Sequence, residues 1–314
     1  MTCVVTGSAG FIGLHVCETL LGRGQDVVGV DAFTDYYDPA LKRANNARLR
    51  RHPRFQDAEL DLVTDDLSDL FDGADAVIHL AGQPGVRLSW SGGFPLYVER
   101  NITASQRLLE AARRTGVPRI VLASSSSVYG NAMAQPTTED SPTRPYSPYG
   151  VTKLAMEHLA VAYAENWRLP VVMLRYFTVY GPEQRPDMAM RRFIDAASSG
   201  EPVPVYGDGE QVRDFTYVSD VVAATLAAAT ADVPAGSVFN VAGGSSSTVN
   251  EVLRLVSESV GRAVVKQHLP EQPGDVRITC GAIDRARRTL GWEPDVPLAD
   301  GIKHQVVHQL GGAA

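Results

Sequence analysis

The chain has 314 residues, 44% of them hydrophobic, enough to bury a sizeable core as one large domain or two linked ones. A net charge of −7 without any basic run argues against nucleic acid as the main partner. The three cysteines, Cys3, Cys17 and Cys280, form no Cys-x-x-Cys pattern, so no disulfide framework and no metal site is indicated, and a reducing cytoplasm fits. Residues 2–6 (Thr-Cys-Val-Val-Thr) predict a buried parallel strand that begins too early to leave room for a signal peptide. Gly7-Ser8-Ala9-Gly10-Phe11-Ile12-Gly13 follows, then a helix with Ile12, Val16 and Leu20 inward. Glycines between a strand and a helix let the backbone approach a pyrophosphate, and the helix N-terminus supplies N–H groups and partial positive charge. The spacing is Gly-x-x-Gly-x-x-Gly rather than the commoner Gly-x-Gly-x-x-Gly, so the strand–turn–helix context carries the inference.

A second strand, residues 27–30, ends in Asp31, roughly 20 residues past the last glycine. A carboxylate there accepts from ribose hydroxyls and repels a 2′-phosphate, favouring NAD over NADP. Residues 35–51 are polar and arginine-rich, a loop and short helix over the adenosine, and Asp61-Leu62 follows a weak strand within reach of adenine. Residues 75–82 predict a fourth strand running into a small-residue turn at Leu80-Ala81-Gly82, where a cofactor ring can lie close to the backbone. His79 reads as a satisfied strand-end histidine, because no carboxylate is spaced to orient it. Asn101 lies in a helix continuing through Leu108 and Ala112. The alternation of strand and helix from residue 2 to residue 123 predicts an α/β fold with a doubly wound parallel sheet.

Residues 119–123 form a β-branched run that ends in Ser124-Ser125-Ser126-Ser127-Val128-Tyr129-Gly130, so hydroxyls sit at the carboxyl end of a strand, where open α/β sheets place ligands. Tyr149 and Lys153 then share one face of one helix. A cation close to a tyrosine favours the phenolate and makes it a better base near neutral pH, and Ser125 can hold a substrate hydroxyl against it. Tyr-x-x-x-Lys also arises by chance on surface helices, so the rest of the chain must decide. Further on, residues 203–206, with Val205 and Tyr206, predict a short strand able to cover a base. Residues 219–230 predict an amphipathic helix, and the most apolar stretch of the chain, 221–231, is too short and alanine-rich to span a bilayer.

With these residues assembled, the chain resembles the extended short-chain dehydrogenase/reductase superfamily in its nucleotide-sugar epimerase and dehydratase branch. The resemblance runs through residues 6–13, Asp31, Asp61-Leu62, His79-Leu80-Ala81, 124–130, Tyr149-x-x-x-Lys153, 175–182, 206–209, 213–218 and Gly274-Asp275-Val276. It implies a Rossmann NAD-binding domain over residues 1–175, with a return of the chain near 215–242. It implies a smaller C-terminal α/β domain, mainly 176–314, that holds the nucleotide sugar. In that light Gly7, Gly10, Phe11, Ile12, Gly13, Asp31, Asp61, Leu62, Leu80, Ala81, Tyr149, Lys153 and Tyr176 would meet NAD. Tyr149 would be the base, Lys153 its electrostatic partner and Ser125 the hydroxyl sharing the substrate proton. Tyr176 and Phe177 would flank the nicotinamide, Arg213 would meet the diphosphate and Asp275 the ribose. A homodimer through the helices carrying Asn101 and Tyr149 is implied as well.

Dehydratases of this branch typically carry Thr-Asp-Glu before Val-Tyr-Gly, and decarboxylases often Thr-Ser-Glu; here Ser125, Ser126 and Ser127 stand instead. Without those carboxyls elimination lacks its acid–base pair, which favours 4-epimerisation of a UDP-sugar. Residues 35–38, 83–89 including Arg87, and 177–189 look most like UDP-glucuronate 4-epimerases. Arg185, Thr178, Ser126 and Ser127 would supply the cation and hydroxyls that a C6 carboxylate needs. A neutral-sugar 4-epimerase, a decarboxylase or dehydratase, and a dinucleotide-sensing module remain as alternatives.

Overall fold

The computed structural model describes residues 1–132 and 134–311. In chain order its strands are β1 (Thr2–Thr6), β2 (Asp26–Asp31), β3 (Phe55–Glu59), β4 (Ala76–His79), β5 (Ile120–Ser125), β6 (Val171–Tyr176), β7 (Thr178–Tyr180), β8 (Val203–Tyr206), β9 (Val212–Tyr217), β10 (Ser237–Val241), β11 (Ser246–Thr248) and β12 (Lys266–Leu269). Seven of them pair in the order β10-β6-β5-β4-β1-β2-β3, every neighbour parallel. Parallel strands covered by helices on both faces read as unbroken apolar runs. Here Cys3, Val5, Ile78 and Val121 face one apolar cluster with the helices Phe11–Gly22 and Val218–Thr230, while Val4, Val77, Ile120 and Leu122 face another with Ala104–Thr115 and Pro148–Trp167. Successive side chains thus serve opposite cores, and burying each Val, Leu or Ile contributes about 1.5–3 kcal/mol. The strand order reverses between β1 and β4, and a crevice opens there at the strands' carboxyl ends.

The remaining strands form a three-stranded sheet, β11-β9-β7, and a pair, β12-β8, around a third cluster that includes Tyr180, Phe193, Phe215 and Val252. The chain leaves the main sheet after β6, builds β7, β8 and β9, and returns through Val218–Thr230 to add β10 beside β6. That returning helix is amphipathic, as its sequence suggests: Ser219, Ala223 and Thr230 stay exposed along one narrow face. Val221, Val222, Ala224, Leu226, Ala228 and Ala229 are all buried, because it is wedged between the sheet, the helix Phe11–Gly22 and Trp292, whose indole donates to the Asp220 carbonyl at 3.0 Å. Among the described residues no helix is long and apolar enough to cross a membrane.

Candidate active site

The crevice begins at the glycine turn. Gly7 has φ +71, and a Cβ on it would lie 2.8 Å from the Ala81 nitrogen; a Cβ on Gly13 would lie 2.0 Å from the Gly7 carbonyl oxygen. The first glycine lets the tip of β1 lie against the segment after β4, and the last lets the helix Phe11–Gly22 start against the turn. The resulting cradle of bare backbone and helix N-terminus fits a dinucleotide's pyrophosphate. Asp31 stands at the end of β2, where its carboxylate accepts from Phe33 N–H at 2.8 Å and Ala9 N–H at 3.1 Å. Burial raises its pKa, against those N–H groups and the cations of Lys42 and Arg43. Lys42, within the stretch 35–51 but not singled out by its sequence, lines the same cavity and donates to Thr34 O at 2.8 Å. Asp61 is held by Arg100 at 2.6 Å; burial pushes its pKa up, but Arg100 and the Val63 N–H outweigh this and hold it below the usual range.

His79 ends β4 fully enclosed. Its Nδ1 lies 2.7 Å from Thr6 Oγ1 and its Nε2 3.1 Å from Ser105 Oγ, which itself donates to Asn101 O. This network assigns the proton to Nε2. Burial, reinforced by the nearby Lys153, lowers the pKa to about 3, so the ring stays neutral and ties β1, β4 and the neighbouring helix together. Asn101 lies in a π-helical turn, Val98–Thr103, rather than in regular α-helix. Its amide accepts from Gln83 N–H at 2.7 Å and donates to Gln83 O and Thr152 Oγ1, both at 3.0 Å, clasping the loop after β4 to the helix Pro148–Trp167.

That helix starts with Ser147, whose hydroxyl accepts from Gly150 N–H at 3.1 Å, and Pro148 at its first position. It carries Tyr149 and Lys153 into the wall of one cavity of about 460 Å³, which Gly7, Gly10, Phe11, Ile12, Gly13, Asp31, Asp61, Leu62, Leu80 and Ala81 line at one end. Ser125, Ser126, Ser127, Tyr176, Phe177, Thr178 and Arg185 line the other. Ser124 also lines the cavity, but its hydroxyl is committed to Glu157, which also takes the Arg175 guanidinium at 2.9 and 2.7 Å. Arg175 continues to Tyr129 at 2.8 Å, and Tyr129 to Asn240 at 2.7 Å. This satisfied buried pair joins β5, β6, β10 and the helix under the site. Ser125 Oγ accepts from Ser127 N–H at 3.1 Å, leaving its proton for the Tyr149 phenol.

Desolvation raises the Tyr149 pKa, and hydrogen bonding from Ser125 and the charge of Arg185 act against it. The Lys153 ammonium donates to the Ala123 carbonyl at 2.9 Å, and burial lowers its own pKa to about 8. The helical spacing is as expected, but the lysine points down to the tip of β5. Tyr97 packs edge-on against the Tyr149 ring at 6.2 Å, and the Tyr176 hydroxyl lies 2.7 Å from Thr225 Oγ1.

A second cavity of about 370 Å³ holds Tyr206, Arg213, Asp275, Gln272, Asn131 and Arg277. Arg87 reaches over it, paired with Asp275 at 3.0 Å and stacked 3.9 Å above the Tyr206 ring. Arg277 binds both oxygens of Asp208 at 2.9 Å. Arg213 donates to the Val212 carbonyl at 2.8 Å, and burial lowers its pKa. Val205 does not face either cavity. Strand alternation sends Val203 and Val205 into the third core cluster and leaves Tyr206 outside. Sequence reading also misses Arg100, Arg277 and Asp187. Arg277 has a local signal, its place just after Gly274-Asp275-Val276, and Asp187 another, two positions after Arg185 within the stretch 177–189. Among the described residues no group of His, Cys, Asp and Glu is arranged to hold a metal ion.

A Rossmann sheet with this crevice, a serine cluster at β5 and a Tyr-x-x-x-Lys helix define an extended short-chain dehydrogenase/reductase. The chain belongs to the NAD dependent epimerase/dehydratase family, whose sequence profile matches residues 3–242. It is similar to a protein of Bacillus subtilis (strain 168) named as an uncharacterized UDP-glucose epimerase, YtcB, with 40% identity over 98% of each chain. It is similar also to the UDP-glucuronate 4-epimerase of Thermodesulfobacterium geofontis (strain OPF15), with 37% identity over 96% of this chain and 94% of the other. The crystal structure of UDP-glucuronic acid 4-epimerase from Bacillus cereus with UDP-glucuronic acid and NAD superposes with a TM-score of 0.96, at 40% identity over 99% of each chain.

Proposed function

We propose that the protein is an NAD-dependent 4-epimerase that interconverts UDP-glucuronate and UDP-galacturonate. The observation that carries this is the row Ser125, Ser126 and Ser127 at the tip of β5, sharing a cavity with Tyr149 and the Arg185 guanidinium. Three hydroxyls with no following carboxyl suit binding and proton sharing, not elimination of water. A guanidinium beside hydroxyls suits a planar carboxylate. The relatives whose names include UDP-glucuronate support the same substrate.

NAD, held along Gly7, Gly10, Gly13, Asp31, Asp61 and Leu80, supplies the hydride acceptor and donor and, when oxidised, a positive ring charge beside the phenol. The chain does the rest. Tyr149 takes the proton from the sugar's O4 as hydride leaves C4, and Ser125 holds that oxygen against it. The resulting 4-keto sugar turns in the cavity, hydride returns to its opposite face, and Tyr149 gives the proton back to O4. Ser126, Ser127, Thr178 and Arg185 hold the C6 carboxylate meanwhile, which keeps a β-keto acid from shedding CO2. Arg87, Tyr206, Arg213 and Asp275 hold the uridine diphosphate. We further read residues 1–175 with 215–242 as the cofactor domain and the remainder as the sugar-nucleotide domain, in a cytoplasmic homodimer. Leu96, Val151 and Trp167, exposed on and beside the catalytic helix, support that pairing. Incubating the purified protein with UDP-glucuronate and no added NAD should yield UDP-galacturonate by chromatography or NMR. Turnover of UDP-glucose alone would sink the assignment, as would release of CO2.

A further inference from the structure

Arg185 is not alone in the cavity wall. Its Nε and one terminal nitrogen each donate to Asp187 at 2.9 Å, one to each carboxylate oxygen. Tyr36, from the loop after β2, donates its hydroxyl to the same carboxylate at 3.2 Å and places its ring 5.8 Å from the guanidinium carbon. Burial raises the Tyr36 pKa, so the phenol stays a donor. Among the described residues the Arg185 Nη1 has no hydrogen-bond partner. Asp187 is the outer member of the pair, with a side chain 37% exposed against 18% for Arg185.

A guanidinium has a side edge, formed by Nε and one terminal nitrogen, and an end edge, formed by the two terminal nitrogens. Asp187 fills the side edge. The end edge, carrying Nη1, is left for a ligand in the cavity that Ser126, Ser127 and Thr178 also line. We propose that Asp187, fastened by Tyr36, is a positioning residue that aims Arg185 and thereby sets the enzyme's preference for an acidic over a neutral sugar. This rests on the uronate reading above and deepens it. An arginine on a flexible stem loses rotamer freedom when it binds; here Asp187 has already taken that freedom away. A hydroxymethyl group at C6 makes no charged contact with the end edge, so its binding does not depend on the aim.

The test is calorimetric titration of NAD-loaded protein with UDP-glucuronate and, separately, UDP-glucose. In Asp187→Asn the affinity for UDP-glucuronate should fall about tenfold, the worth of one charge-assisted hydrogen bond, while that for UDP-glucose stays unchanged. Asp187→Glu should restore part of the loss. Tyr36→Phe, which keeps the ring, should show a smaller loss in the same direction and guards against misfolding of the charge variant. An equal loss for both sugars would make Asp187 merely structural, and tighter binding of the acid would make it a competitor; either overturns the proposal. If the unaltered protein itself shows no preference for the acid, the uronate reading falls. If it prefers the acid and the variants keep that preference, only the role of Asp187 falls.

Discussion

The two ends of the proposed binding region, one assigned above to the dinucleotide and the other to the sugar nucleotide, are made of different materials. The dinucleotide end is mostly backbone: Gly7, Gly10 and Gly13, a helix N-terminus, and one carboxylate at a strand tip. The sugar-nucleotide end is mostly paired side chains: Arg185 with Asp187, Arg87 with Asp275, Arg277 with Asp208. A backbone cradle is rigid and fails when a methyl group is added. A set of ion pairs can trade partners when a ligand arrives, so single substitutions shift its selectivity rather than abolish binding. Such an arrangement lets one frame keep its cofactor while its sugar preference drifts.

Tyr149 stands where the two ends meet, and replacing it gives the largest effect. Tyr149→Phe should lower kcat by about 10²–10⁴-fold, the usual worth of a positioned base, while NAD copurifies as before. An unchanged kcat would move the base elsewhere, and lost NAD would put the tyrosine at the dinucleotide end.

Lys153 sharpens the boundary through pH. Its pKa falls from the ordinary lysine value of 10.5 in an unstructured chain to about 8 in the folded protein. Below pH 8 the ammonium is charged in both folded and unfolded chains, and the cost of burying it is fully present. Between pH 8 and 10.5 the folded state sheds its proton first, so stability of the cofactor-free protein should rise across that window by about 3 kcal/mol. Urea unfolding at stepped pH, compared with Lys153→Met, measures it; the variant should be flat where the parent rises. A parent that loses stability there would show the ammonium to be favourably paired.

The backbone end is tested by Gly13→Ala. Its new Cβ would meet the Gly7 carbonyl at 2.0 Å, so the helix must back away, at about 1–3 kcal/mol of overpacking. NAD affinity should fall at least about tenfold by fluorescence titration, with affinity for free UDP unchanged. A matching fall in UDP affinity would erase the distinction between the two ends.

Much of the backbone end is legible in sequence because its signals are local. The apolar runs of β1, β2, β4 and β5, the glycine turn, Asp31, and the helical spacing of Tyr149 and Lys153 each lie within a few residues. The side-chain end is harder because, apart from Arg185 and Asp187, its partners are remote. Tyr36 and Asp187 stand 151 positions apart, Arg87 and Asp275 188. Nothing near Glu157 signals Arg175 on the strand that follows its helix. For Lys153 the sequence gives the face but not the aim, since a backbone carbonyl such as that of Ala123 leaves no mark in a sequence. Val205 is the opposite case: strand alternation already implies its inward direction.

The widened turn at Asn101 has a consequence for how this fold tolerates insertions and deletions. A π-helical turn carries one residue more than an α-helical one. Dropping a single position from Val98–Thr103 would restore α-helical pitch and shift the asparagine off the face that makes the clasp. The clasp would open although every side chain that touches a ligand kept its identity, so chain length in this segment is as tightly constrained as any functional group.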